Sequence, residues 1–234
     1  MLTFKSYFLK EGGNVFTGVT EDIKQADVIP TVQHLERITG LPLLHNMLGT
    51  TGKAVKSGDV DLVVDNKTIT KDVLVSRLQE FWKKNSVDTI GTKKSGISVH
   101  FLSPIWNRDG KETGKYVQVD FMFHDDPEYL KWFYAANEQA PLKGKDRNIL
   151  LSAIAKNKGL TLSTSGLMSR DPKNKQLISR NPDAIAKALF DKNASAKDLN
   201  NIPAIIHKLI ELNGAEEAKR IVSEAEVTTG HTFI

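Results

Sequence analysis

Two hydrophobic rhythms divide the chain, and the change between them falls near residue 140. Before it, short β-branched and aromatic runs alternate with stretches of helical period; after it, helical period dominates. Residues 30–39 predict a first helix. Pro30 suits its first turn, Gly40 the position just past its end, and Pro42 blocks continuation. Residues 43–48 and 59–64 are apolar runs of strand length, separated by a loop of Gly, Thr and Lys from Gly49 to Gly58. Residues 65–67 read as a turn. Thr70 then caps a helix over 70–84, with Val73, Leu74, Leu78, Phe81 and Trp82 on one apolar face. Residues 87–92, 97–102 and 116–123 predict three further strands. The first two are joined by the basic link 93–96, the last two by a polar turn at 108–114. Asp125 and Asp126 start a helix reaching about residue 136.

Beyond Pro141, residues 145–157 form an amphipathic helix with Ile149, Leu150 and Ile154 on one side. Residues 160–163 and 176–179 suggest a small hairpin. Asn181-Pro182 opens another helix by the cap-plus-proline rule, and helices near 196–212 and 215–226 complete the pattern. The expected class is α+β: a mixed sheet with flanking helices over residues 1–140, followed by a mostly helical lobe over 141–234.

Charge distribution adds to this division. The chain of 234 residues carries 32 Lys+Arg and 28 Asp+Glu, a net of +4. Residues 1–140 hold 17 basic and 18 acidic side chains, whereas segment 141–181 holds nine basic against Asp146 and Asp171. That segment reads either as a solvated surface or as an electrostatic footprint for a polyanion. The absence of cysteine excludes disulfides, thiolate zinc sites and a cysteine nucleophile. No signal-peptide pattern and no apolar run of membrane length stands out, so a cytoplasmic protein with no membrane partner is expected.

The chemistry concentrates between Leu48 and Val64. Asp59 and Asp61 lie at i and i+2 of an apolar strand, so their side chains share one face, about 7 Å apart along the backbone. Two carboxylates there repel and call for a counter-cation, and hard oxygen ligands select Mg²⁺, Mn²⁺ or Ca²⁺. A solvated edge strand is the competing reading. An EF-hand is rejected because Val63 and Val64 occupy its fifth and sixth positions. A P-loop built on Gly52-Lys53 is rejected because Met47 replaces its first glycine and Ala54 its metal-binding hydroxyl. A third acid, Asp120, stands alone in the apolar run 117–123, where a lone carboxylate is awkward unless it joins others. If that strand pairs beside 59–64, three carboxylates converge and can hold two metal ions about 3.5–4 Å apart.

In that order and spacing, Gly49-Thr50, Asp59, Asp61 and Asp120 resemble the signature of the DNA polymerase β-like nucleotidyltransferase superfamily, over residues 26–125. Thr50 stands where serine is usual, keeping the hydroxyl and adding a methyl. The resemblance implies transfer of a nucleoside monophosphate from an NTP such as ATP to an acceptor hydroxyl, with two Mg²⁺ ions (or Mn²⁺) as cofactors. Asp59, Asp61 and Asp120 would bind the metals, Asp120 would also activate the acceptor hydroxyl, and Gly49 and Thr50 would meet the phosphates. Lys53 and Lys56 lie in the same loop and are candidates for phosphate contact. Lys145 and Arg147, in the first turn of a helix where basic side chains oppose the dipole, are candidates for meeting an anion.

Other residues fall mostly to ordinary roles. His124-Asp125-Asp126 reads as a helix start, His100 as a plain strand residue, Trp82 and Trp132 as core. Trp106 reads as a loop anchor or a base-stacking ring. Three functions follow: nucleotide transfer to an RNA end such as that of tRNA, favoured by segment 141–181; transfer to a protein or small-molecule hydroxyl, toxin-like or antibiotic-modifying; and a non-catalytic basic nucleic-acid-binding module.

Overall fold

The computed structural model describes residues 15, 16, 18–84, 91–135, 144–171 and 173–234. The chain divides into two compact units, 1–127 and 128–234. The division precedes the change of pattern at residue 140. The reason is the short helix Pro127–Phe133, whose Tyr129 and Phe133 pack into the second unit's core.

The first unit opens with β1 (Ile23–Lys24) and α1 (Gln25–Thr39). The helix starts five residues ahead of Pro30, which sits inside it, and it ends as expected on Gly40 in the left-handed conformation at φ 69°. There is no strand at 43–48. The Glu36 carboxylate accepts the N–H groups of Leu43 at 2.6 Å and Leu44 at 3.0 Å, which turns the backbone into a 3₁₀ helix over Leu44–Asn46. Only Met47 reaches strand pairing, through a single bridge to Leu62.

After β2 (Lys56–Ser57) come β3 (Asp59–Asp65), α2 (Lys71–Lys84), β4 (Thr92–Ser95), β5 (Ser98–Trp106) and β6 (Glu112–His124). The stretch 87–90, expected to be strand, lies outside the described residues. The sheet order is β3-β6-β5-β4, with β3 parallel to β6 and the other pairs antiparallel. This is a mixed sheet, as the alternation of apolar runs predicts. One face of it, with Val60, Leu62, Val99, Phe101, Val119 and Phe121, is buried with α1 and α2 residues such as Leu35 and Leu78 in one core. Leu74, Leu78 and Trp82 are the inward positions of α2, spaced i, i+4, i+8, whereas Val73 is 45% exposed and off that face.

The second unit contains α3 (Pro127–Phe133), α4 (Gly144–Asn157), β7 (Leu160–Ser163), β8 (Gly166–Ser169), β9 (Leu177–Ser179), α5 (Pro182–Leu189), a 3₁₀ turn at Ala196–Leu199, α6 (Ile202–Asn213) and α7 (Ala215–Thr229). The expected two-stranded hairpin is a three-stranded antiparallel sheet of order β7-β8-β9, because 166–169 supplies the central strand. Asn181 caps α5 as expected, its Oδ1 accepting the Ala184 N–H at 3.1 Å. Among the described residues no helix is long and apolar enough to cross a membrane.

Candidate metal centre

Strand register builds the site. The parallel pairing of β3 with β6 sets Asp61 beside Asp120 and Asp59 beside Gln118. The antiparallel pairing of β6 with β5 sets His100 on the far side of Asp120. One row across three strands therefore reads Asp61, Asp120, His100. Because alternate residues share a face, Asp59 and Gln118 stand on the same face one step away, opposite the apolar core face. Ligand oxygens of Asp59, Asp61 and Asp120 all lie within 4.8 Å of one another.

Electrostatics marks these carboxylates as an unsettled group. Burial raises the pKa of Asp61 well above the ordinary carboxylate value, and the charges of Asp59 and Asp120 add to the rise. Asp59 is also raised, first by burial and then by Asp120, against a lowering contribution from its own backbone N–H. Three acids converging in a half-buried space repel one another unless protons or cations intervene. Three hard oxygen donors in this space suit Mg²⁺ or Mn²⁺.

The glycine loop is tied to the same strand. β3 lies at the edge of the sheet, and the chain entering the loop covers its free side. Leu48 N–H donates to the Asp61 carbonyl at 2.9 Å, and Asp61 N–H donates to Thr51 Oγ1 at 3.0 Å. Thr51 is thus the buried hydroxyl that braces the centre, whereas the motif residue Thr50 is exposed. Gly49 and Gly52 hold the turn at φ 58° and 75°, a region other residues rarely adopt. Gln25, at the start of α1, donates to the carbonyls of Gly52 at 3.2 Å and Lys53 at 3.0 Å. Within the loop the N–H groups of Thr51, Lys53 and Ala54 are taken by nearby carbonyls. Those of Gly49 and Thr50 have no partner among the described residues.

The outlying candidates separate. Lys53 is exposed on the loop, and Lys145 is exposed in the first turn of α4. Arg147 departs from its expected role, because its guanidinium is buried and committed to its own unit. Nε donates to the Leu199 carbonyl at 2.6 Å, and Nη1 lies 3.4 Å from the carbonyls of both Trp132 and Phe133 and 3.2 Å from Asn148 Oδ1. The group also lies over the Trp132 ring, 4.8 Å from its centre. Burial pushes its pKa down to about 10, which leaves it charged at neutral pH. It closes the carbonyl end of α3, a place where a cation is favoured. Trp106 is likewise no free platform for a base. It ends β5 with its ring stacked on His34 at 4.1 Å. His100, read from sequence as an ordinary strand residue, instead places Nδ1 2.7 Å from Asp120 Oδ1. The signal available was its position in an alternating strand, which becomes informative only once register is known.

No protein-family model matches the chain, and no curated protein matches it.

Proposed function

We propose that the protein is a metal-dependent nucleotidyltransferase with a DNA polymerase β-like core, moving a nucleoside monophosphate from an NTP to an acceptor hydroxyl. The observation carrying this reading is the register of β3 and β6, which brings Asp59, Asp61 and Asp120 within 4.8 Å beside a glycine turn with open N–H groups. Two Mg²⁺ ions held by these acids would supply charge neutralisation at the triphosphate and at the attacking oxygen. The chain's own part is positioning. The Gly49 and Thr50 N–H groups receive phosphate oxygens, with Lys53 beside them. Thr51 fixes the loop to the Asp61 backbone. Asp59 and Asp61 hold the triphosphate end of the centre, and Asp120 faces the acceptor hydroxyl and takes its proton. The α-phosphorus–oxygen bond to the acceptor forms as the bond to pyrophosphate breaks.

An RNA end is the acceptor we favour. Of the basic residues in 141–181, Arg147 is buried, Lys156 is paired with Glu224, and Lys158 donates to the Phe190 carbonyl at 3.2 Å. Lys145, Arg170, Lys173 and Lys175 remain exposed, and the last three lie in the connection between β8 and β9. These are suited to a phosphate backbone. Such work belongs in the cytoplasm, where NTPs and RNA are both present. The test is incubation with α-phosphate-labelled NTPs, Mg²⁺ and mixed cellular RNA and protein. Label in RNA is expected. Label in protein or a small molecule alone moves the acceptor to those classes. No label in any fraction leaves a nucleic-acid-binding module and ends the transferase reading.

A further inference from the structure

Asp120 is the acid of the triad whose carboxylate is gripped by neighbouring side chains. His100 Nδ1 lies 2.7 Å from Oδ1. Gln118 Nε2 lies 3.0 Å from Oδ1 and 3.2 Å from Oδ2. The sense of the Gln118 amide is settled at its other end. Its Oε1 accepts the Val15 N–H at 2.6 Å, so the NH₂ group faces the carboxylate. A carboxylate that binds a cation is ionised and only accepts, so the imidazole nitrogen facing it is the one bearing hydrogen. Oδ1 therefore carries two donors at short range, and Oδ2 one longer contact. The grip is enclosed: Gln118 is 4% exposed, and the His100 and Asp120 side chains are 12% and 17% exposed.

We propose that His100, with Gln118, is a positioning residue for the metal centre. By loading Oδ1 with donors it fixes the plane of the Asp120 carboxylate and leaves Oδ2 as the oxygen offered to a divalent cation. The inference rests on the metal reading of the triad and goes beyond it by assigning a holder to one ligand. It needs no change in the charge of His100; the imidazole acts through where its N–H points. Losing such a holder weakens metal binding by about 10–100-fold where it has been removed from other metal centres.

The experiment uses the full chain without nucleotide, with Mn²⁺ as the probe and free Mn²⁺ read by electron paramagnetic resonance. His100→Asn keeps an N–H near the place of Nδ1; His100→Gln carries it out to the place of Nε2. The Asn variant is expected to bind Mn²⁺ within about threefold of wild type and the Gln variant about tenfold more weakly. Equal affinity of the two, whether both normal or both impaired, overturns the proposal. Gln118→Leu is expected to weaken binding by about tenfold. Should both His100 variants lose the native melting transition, wild-type affinity in Gln118→Leu overturns it. The metal reading fails separately: in that case Asp61→Asn and Asp120→Asn bind Mn²⁺ as well as wild type does.

Discussion

In the second unit, the buried guanidinium of Arg147 meets three backbone carbonyls, an amide oxygen and an indole face. In the first, the carboxylates of Asp59, Asp61 and Asp120 crowd within 4.8 Å of one another. Both are charges removed from water. Arg147 finds compensation inside its own unit and stays charged, whereas burial first, and then neighbouring carboxylate charge, raises the pKa of Asp59 and Asp61. A compensated buried charge is architecture, because its partners are already spent. A cluster left in mutual repulsion has capacity for something from outside, which on the proposed reading is a divalent cation. The contrast also shows how a basic residue in the first turn of a helix can be satisfied without a bound anion. Its anion-like partners are carbonyls at the end of another helix.

The sharpest way to break this comparison is Asp61→Asn. Nucleotide transfer is expected to fall by about 10³-fold, the scale of losing a group that stabilises transition-state charge, as measured by labelled product. Without divalent metal the same variant should melt higher than wild type, because it removes a repelling buried charge. Unchanged turnover would sink the metal assignment. Next comes Arg147→Ala, which leaves the carbonyls of Trp132, Phe133 and Leu199 unpaired. Urea unfolding should show a loss of about 3 kcal/mol with the KM for NTP unchanged in the folded protein. A raised KM with unaltered stability would return Arg147 to the nucleotide.

Metal addition should stabilise the wild-type protein by about 2.7 kcal/mol at a hundredfold excess over Kd, and Asp61→Asn by much less, read as a melting shift. The effect of pH is smaller and separable. Burial first, and then the Arg37 charge, lower the pKa of His34 to about 4, so the folded state binds fewer protons than the unfolded one below pH 6.5. Stability is full above that value and declines as pH falls towards 4, and His34→Leu should flatten the decline. The acids act in the opposite sense. The folded pKa values of Asp59 and Asp61 are raised, so in metal-free protein stability recovers as pH drops through them towards 3.8. Asp61→Asn removes the Asp61 share of this recovery and keeps that of Asp59, whose rise comes from burial and Asp120. Smallest of all, Lys173→Ala and Lys175→Ala should each reduce the salt dependence of RNA binding by a slope of about 1 and leave KM for NTP unaltered.

Much of the first unit was legible from period alone. The strands at 59–64 and 116–123 announce themselves by β-branched alternation, and α2 by its i, i+4 spacing, although the second strand starts earlier, at Glu112, inside the expected turn 108–114. The acids were legible because a carboxylate in such a run is anomalous. What period cannot supply is pairing. Residues 43–48 look like a strand, yet the Glu36 side chain reaches forward and bends them into a 3₁₀ turn. His100 looks ordinary until antiparallel register places it against Asp120. The motif names the exposed hydroxyl of Thr50, while the brace to Asp61 comes from Thr51 through a hydrogen bond that only the folded chain shows. Each of these is a specific side-chain contact between different elements or loops, which hydrophobic period does not encode.

The bond from Asp61 N–H to Thr51 Oγ1, together with that from Leu48 N–H to the Asp61 carbonyl, makes the backbone of one residue the link between the glycine turn and the acids. On the proposed reading, phosphate on the glycine turn and a cation on the acids would both act on the same edge of β3. The two affinities would then be thermodynamically reciprocal: whatever factor nucleotide gave to metal, metal would return to nucleotide. A Kd measured for either alone describes a half-assembled device.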